Sequence, residues 1–349
     1  MKDQMTPKER RQALLTGQDV DRLPITVSHE IYSAKLAGLN YREAFNSPEN
    51  VAKKEMNLYH TYGIDGISVS YTSVNFGIRH RSKIKSPQFN TASIDIPRLS
   101  KIEEWAELNP EHTEFKRDIA QQVNYDAVQI MQDQVGKEID IVYSFSAPFT
   151  MATGVIAAEQ LLRSMFKKPD EVHQLMAFVT EFIKQLIDKA SSLGIKDFFI
   201  YDPVASGSLI GPKQYKNFCA PYTTDIINYI RDKSEDSWVG MHICGNATDR
   251  LEMLAATGID AFSLDQKVNL SEAKQAIGES TTLMGNVDPI EVFLQGTPDL
   301  MDQAVKDCYE QAKDTPAGFI LRSGCGVPYE SPKENFDAYF EAAKKYSRL

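Results

Sequence analysis

Apolar runs of strand length alternate along the chain with longer amphipathic segments. The runs are Ile25–Ser28, Gly66–Ser70, Ile139–Phe145, Asp197–Tyr201, Trp238–Ile243, Ala261–Leu264, Thr281–Met284 and Phe319–Leu321. Between most of them lie stretches with helical periodicity, such as Asp170–Leu193, Lys213–Lys233 and Asp299–Ala312. Strands alternating with helices imply βαβ units and a parallel sheet. Eight such units imply an α/β fold of the closed (β/α)8 barrel type. Ahead of them, residues 5–18 read as a short helix with Pro7 near its start, an N-terminal extension to the barrel. Residues 71–100 break the rhythm with short alternating polar pieces and turn residues. They read as a loop or hairpin excursion over one barrel face, and loops of that length are usually functional. With neither repeats nor a linker, the whole of 1–349 is expected to be one domain.

In barrel enzymes the chemistry sits at the C-terminal ends of the strands. Here those ends carry His29 and Glu30, Tyr71, Ser144 and Ser146, Tyr201 and Asp202, His242 and Cys244, Asp265 and Gln266, Asn286 and Asp288, and Ser323 and Cys325. Within SWVGMHICGN, His242 and Cys244 are two apart on an expected strand, so their side chains share one side. If Cys325 ends a neighbouring strand, the three make a mixed nitrogen and sulfur site that suits Zn²⁺. Three protein ligands leave a fourth position open, the pattern of a catalytic zinc. A buried cysteine is also simply a small hydrophobe, and His-x-Cys alone does not decide between the two. Asp265 ends the strand after that of His242, where it suits either a fourth zinc ligand or a helix cap. Asp202 and Asp288 precede prolines, so each is either a catalytic carboxylate or turn punctuation. Tyr201, Asn246 and Asn286, close to the same rim, are the candidates for cofactor contact. Cys219, Cys308, His60, His112 and His173 fall in helical or polar segments and are expected to be structural.

Composition narrows the function classes. At 42% hydrophobic and 25% charged, the chain is ordinary for a soluble globular protein. Its net charge of −10 disfavours nucleic acid and anionic membrane as partners. The densest basic cluster, Arg79–Lys85, is short and reads as a solvated loop face, with steering of an anionic substrate as the alternative. No apolar stretch is long enough to span a bilayer. The N-terminus lacks the apolar core of a signal peptide, so a cytoplasmic location is expected. Four cysteines without framework spacing fit a reducing compartment.

Several stretches together resemble the uroporphyrinogen decarboxylase superfamily: DPVASGSLIGPKQYKNFCAPY (202–222), MHICGNATDRL (241–251), FSLDQKV (262–268), MGNVDPIEVFLQGTPDL (284–300) and LRSGCGVPYESPKENFDAY (321–339). Within it the chain is most similar to the methylcobamide:coenzyme M methyltransferases and related corrinoid-dependent methyltransferases. That resemblance implies a TIM barrel and a zinc held by His242, Cys244 and Cys325, with Asp265 as the acidic residue near it. It implies methyl transfer between a corrinoid and a small acceptor, a thiol activated as zinc thiolate. Alternatives are transfer in the reverse direction, from a small methyl donor to Co(I), a decarboxylase, and a non-catalytic tetrapyrrole- or metal-binding barrel. The decarboxylase branch depends on an N-terminal arginine cluster, whereas 21–38 reads DRLPITVSHEIYSAKLAG. The corrinoid-binding signature Asp-x-His-x-x-Gly is absent, so the methylcobamide is expected to come on a separate corrinoid protein.

Overall fold

The computed structural model describes residues 3–108 and 118–348. His112 lies outside them. In chain order the strands are β1 (Ile67–Tyr71), β2 (Lys83–Lys85), β3 (Ser93–Ile96), β4 (Ile141–Ser146), β5 (Asp197–Tyr201), β6 (Trp238–Ile243), β7 (Ala261–Leu264), β8 (Thr282–Val287) and β9 (Phe319–Ser323). Among the described residues β1, β4, β5, β6, β7, β8 and β9 form one parallel sheet in that order, with helices in the connections. β2 and β3 pair separately as an antiparallel hairpin.

One expected strand is not a strand. Ile25–Ser28 makes a single parallel bridge, Ile25 to Leu321. Pro24 offers no N–H, and the Ile25 N–H goes to the Asp65 carboxylate at 2.7 Å. The segment still occupies the position between β9 and β1. Thr26 donates to Leu321 O, Leu321 donates to Pro24 O, and on the other side Asp65 donates to Ile25 O. The 71–100 excursion is a short helix, Ser73–Arg79, followed by the β2–β3 hairpin. The expected helix over Lys213–Lys233 is two helices, Pro212–Phe218 and Ala220–Lys233. Pro221 causes the break, since it removes an N–H and crowds the preceding turn. The long helix between β4 and β5 spans Pro169–Ser192.

Alternation along the strands separates two cores. Residues facing the helices, such as Phe198, Ile200, Val239, Met241, Phe319 and Leu321, join the large outer core. Residues facing inward build a smaller one from Phe199, Trp238, Ala261, Met284 and Ile320. Leu14, from the N-terminal helix Pro7–Leu15, packs against it. That helix starts with a capping box between Thr6 and Glu9, and its Arg11 forms ion pairs with Asp140 and Asp197 and lies 5.3 Å over the Trp238 ring. The inner apolar plug gives way toward the C-terminal strand ends to polar residues: Ser144, Tyr201, His242, Ser263 and Arg322. All five are inward by the same alternation that places Val142, Phe199 and Ile320.

Candidate metal centre

His242 lies near the end of β6 and Cys244 just beyond it. The buried ring of His242 donates from Nδ1 to the Ser263 carbonyl of β7, at 2.9 Å. A carbonyl only accepts, so this bond fixes the tautomer and leaves Nε2 with its lone pair. Nε2 lies 3.3 Å from Cys244 Sγ, which lies 3.7 Å from Cys325 Sγ. All three ligand atoms fall within 4.8 Å of one another, and among the described residues they are the only such His, Cys, Asp and Glu group. Both cysteines are half-buried and free of disulfides.

The backbone around the cysteines leaves little freedom. Gly245 follows Cys244 at φ +75°, and a Cβ there would stand 2.7 Å from Ser206 Oγ. Gly324 precedes Cys325, and a Cβ there would stand 2.6 Å from Gln266 N and 3.1 Å from Asn286 O. Both contacts are tighter than any side chain tolerates, so glycine at these places is what brings the two loops together. Without metal the thiols share protons. The hydrogen bond from Cys244 holds the Cys325 thiol well below its usual range, against burial. The same hydrogen bond and burial hold the Cys244 proton well above it. A bound Zn²⁺ removes that second proton outright. Two thiolates and an imidazole whose other nitrogen is held by a backbone carbonyl match the donor chemistry of zinc.

The other expected site residues are distributed around this cluster. Asp265 follows β7, is buried, and accepts from Lys267 N at 3.0 Å; it is not among the three clustered ligands but adds negative charge near Cys244. Asn286 points its amide at the Asp265 and Val268 carbonyls, at 3.1 and 2.7 Å, and so braces the turn after β7. Tyr201 places its ring edge-on to His242, centroids 6.1 Å apart. Asp202 is fully buried. Its N–H donates to the His242 carbonyl at 2.9 Å, and Thr150 Oγ1 donates to Oδ1 at 2.6 Å. Its Oδ2 has no partner among the described residues, and burial pushes the carboxyl up to about 7. Asp288 caps the helical turn after β8, accepting from Ile290 N and Glu291 N. Asn246 is exposed and accepts from Thr248 N. Cys219 and Cys308 are buried, and His173 shares a hydrogen bond with the Tyr222 hydroxyl.

A cavity of about 90 Å³ lies inside the barrel, lined by none of the three clustered side chains. Tyr201, whose ring stands edge-on to His242, lines it with Ser28, His29, Glu30, Ser144 and Arg322. Arg322 is absent from the sequence expectations. A charged residue interrupting the apolar run FILRS at an inward position is the signal that marks it.

A model of the family described as uroporphyrinogen decarboxylase (URO-D) matches residues 6–346. The chain belongs to that family. Its relatives include both methyltransferases and decarboxylases. It is 28% identical to the methylcobamide:CoM methyltransferase MtbA of Methanosarcina mazei, over 98% of both chains. It is also 28% identical to a uroporphyrinogen decarboxylase of Prochlorococcus marinus, over 88% of this chain and 87% of the other. Among solved structures, a methyltransferase from Methanosarcina mazei superposes with a TM-score of 0.84 at 24% identity, covering 98% of this chain and 99% of that one. The fold is therefore the family's α/β barrel.

Proposed function

We propose that this chain is a corrinoid-dependent methyltransferase of the family, with a zinc held by His242, Cys244 and Cys325. The transfer runs between a corrinoid on a separate protein and a small thiol. We take 1–349 to act as one domain. The observation that carries the reading is the metal-ready cluster itself, in which His242 Nε2 is left free by the bond from Nδ1 to Ser263. The N-terminal region supports it from the other side. Arg22, the arginine nearest the expected cluster position, is buried and committed to Asp3 and Asp65, so it has no guanidinium to offer a substrate carboxylate.

When bound, the zinc supplies the positive charge that makes a substrate thiol nucleophilic at neutral pH, where a free thiol is mostly protonated. The chain's residues do the rest. His242 is oriented by Ser263, and both cysteines are held in place by their glycine-tight loops. Tyr201 walls the inner side, and the barrel excludes bulk water from the reacting sulfur. Asp265 is proposed to complete the metal shell until substrate arrives. Asp202 is the proposed proton-holding group behind it, while Asp288 keeps a capping role. Direction is set by the net free energy of the two methyl carriers, and the same groups serve either way.

The test is turnover of methylcobalamin with a small thiol by zinc-loaded protein, followed by loss of the methyl–cobalt absorbance and appearance of thioether. We expect about one zinc per chain. A Cys244→Ala/Cys325→Ala variant should lose both metal and turnover yet keep its circular dichroism. Full zinc retention by that variant would overturn the ligand assignment, and a zinc-loaded wild type inactive with every thiol would overturn the reaction.

A further inference from the structure

We propose that the helix and hairpin between β1 and β4, residues 73–96, form the docking surface for the protein that carries the corrinoid, and that they select a partner whose facing surface is acidic. The proposal rests on the methyl-transfer reading above and names where its second substrate is held.

The excursion is anchored so that it stands beside the metal cluster. At its base Ser82 Oγ donates to Gly154 O at 2.7 Å and accepts from Arg98 N at 2.9 Å, which ties both arms to the connection after β4. A Cβ on Gly77 would stand 2.5 Å from Gly154 O, so the helix Ser73–Arg79 meets that connection backbone to backbone. At its tip Gln88 O accepts from Tyr41 N at 2.9 Å, and the Phe89 ring lies 5.4 Å from that of Tyr329, on the loop that follows Cys325. The hairpin thus reaches from the connection after β4 to the loop after β9. A methyl group passes only between groups in contact, so a carrier that serves the cluster has to cover this end of the barrel, where the hairpin stands.

Its outward side chains suit such a contact. Ile78, Ile84, Phe89 and Ile96 are four of the nine large hydrophobic residues exposed among the described residues. Leu209 and Ile290, on the connections leaving β5 and β8, add two more at the same end of the barrel. Apolar side chains gathered at one place on a surface mark an interaction site, whereas scattered single ones do not. Charge narrows the partner. Residues 71–100 hold five basic side chains, those of Arg79, Arg81, Lys83, Lys85 and Arg98, against one acidic, Asp95, in a chain whose net charge is −10. Arg81, Lys83 and Lys85 are exposed. A basic hairpin on an acidic body attracts an acidic protein face to this one place and repels it elsewhere. Nucleic acid would meet the acidic remainder of the chain. Two copies joined hairpin to hairpin about a twofold axis would set like charges opposite each other.

The experiment measures methyl transfer to 2-mercaptoethanol by zinc-loaded protein from two donors: free methylcobalamin, and the corrinoid proteins of the source organism, each purified and methylated. Wild type should use at least one carrier with a KM about tenfold or more below that for free methylcobalamin. Lys83→Glu/Lys85→Glu should raise the carrier KM about tenfold and flatten its dependence on salt, while Ile84→Ser/Ile96→Ser should raise it by about as much and leave the salt dependence in place. Both variants should keep the wild-type kcat and KM for free methylcobalamin, which reports an intact fold and site. Amides of residues 78–96 should gain protection from hydrogen exchange when the carrier is added. A carrier KM unchanged in both variants, a KM that rises equally for both donors, or a wild type that uses no carrier better than free methylcobalamin overturns the proposal. So does a wild-type dimer that either variant dissociates, because the surface then serves a second copy. Those outcomes leave the methyl-transfer reading standing, whereas a wild type with no turnover of free methylcobalamin brings down that reading and the docking proposal with it.

Discussion

Glu55, on the helix Pro48–Tyr62, is fully buried beneath the cavity wall and accepts hydrogen bonds from His29 Nε2 at 2.9 Å, Ser68 N at 2.9 Å and Lys54 Nζ. His29 Nδ1 meets the Val27 carbonyl at 2.7 Å, so both ring nitrogens face acceptors. Burial alone opposes ionisation of Glu55, but His29 and Lys54 overcome it and hold the carboxyl far below its usual range. A depressed carboxylate pKa contributes stability above the unfolded-state value, and that stability is lost as pH falls toward the folded value. Glu55→Gln should therefore cost about 3 kcal/mol at pH 7, the scale for breaking a buried pair. The gap from wild type should shrink as pH drops below about 4.5. Urea midpoints of the two proteins at pH 7 and pH 4 check this, and an equal gap at both would show that packing, not charge, is what Glu55 supplies. Gly324 offers a second test. Its substitution by Ala forces a Cβ against Gln266 N and Asn286 O, both backbone, so the loop must move and Cys325 with it. Metal affinity should fall by about 10- to 100-fold with the fold retained, measured by competition with a chelator for zinc.

At the scale of elements, the inner edge of the barrel was legible because alternation is strict. His242 and Cys244 were placed on one side by their spacing, and the apolar runs gave β4 to β9 to within a few residues. What was not legible depended on partners distant in sequence. The Ser263 carbonyl that orients His242 belongs to the next strand, and backbone groups carry no residue signature. Asn286 looked like a cofactor contact, yet its amide is used on the Asp265 and Val268 carbonyls. That bracing predicts a role through position. Asn286→Ala should leave the Val268 carbonyl unsatisfied, with the Asp265 carbonyl keeping only the Val268 N–H, and cost about 1–3 kcal/mol. Zinc content should hold while substrate affinity weakens, because Asp265 and its turn loosen. Unchanged stability in thermal unfolding would show that water replaces the amide. The break at Pro221 was visible in the sequence, but amphipathic spacing on both sides of it hid the change of helix direction. Arg322 was missed for a different reason. Site residues are expected just past each strand end, whereas Arg322 lies within β9.

For the molecule as a whole, closure of the barrel depends on a segment that is hardly a strand. Pro24–Ser28 joins β9 to β1, and its backbone pairing is sparse, so side chains must hold it. Asp65 does most of this. Its carboxylate accepts from Ile25 N at 2.7 Å and from Arg22 Nη1 at 2.6 Å, and it pairs with Arg10 of the N-terminal helix. Its own N–H donates to Ile25 O at 2.9 Å. Arg10 and Arg22 are both essentially without exposure, and each has a second acidic partner, Asp21 or Asp3. One buried carboxylate thus ties the extension, the closing segment and the start of β1 into a single unit. Asp65→Asn keeps the shape and an acceptor for Ile25 N but leaves two buried guanidinium groups short of charge. The expected loss is about 3–5 kcal/mol, the range for removing one partner of a buried ion pair. Zinc should stay bound, because His242 and Cys244 lie on β6 and its loop, away from Asp65, and the turn at Cys325 is also held by the tight approach of Gly324 to Gln266 and Asn286. Urea unfolding together with zinc analysis decides the point. Stability at wild-type level would mean that the ladder bonds close the barrel unaided, and loss of zinc in a still-folded variant would mean that closure reaches the metal ligands after all.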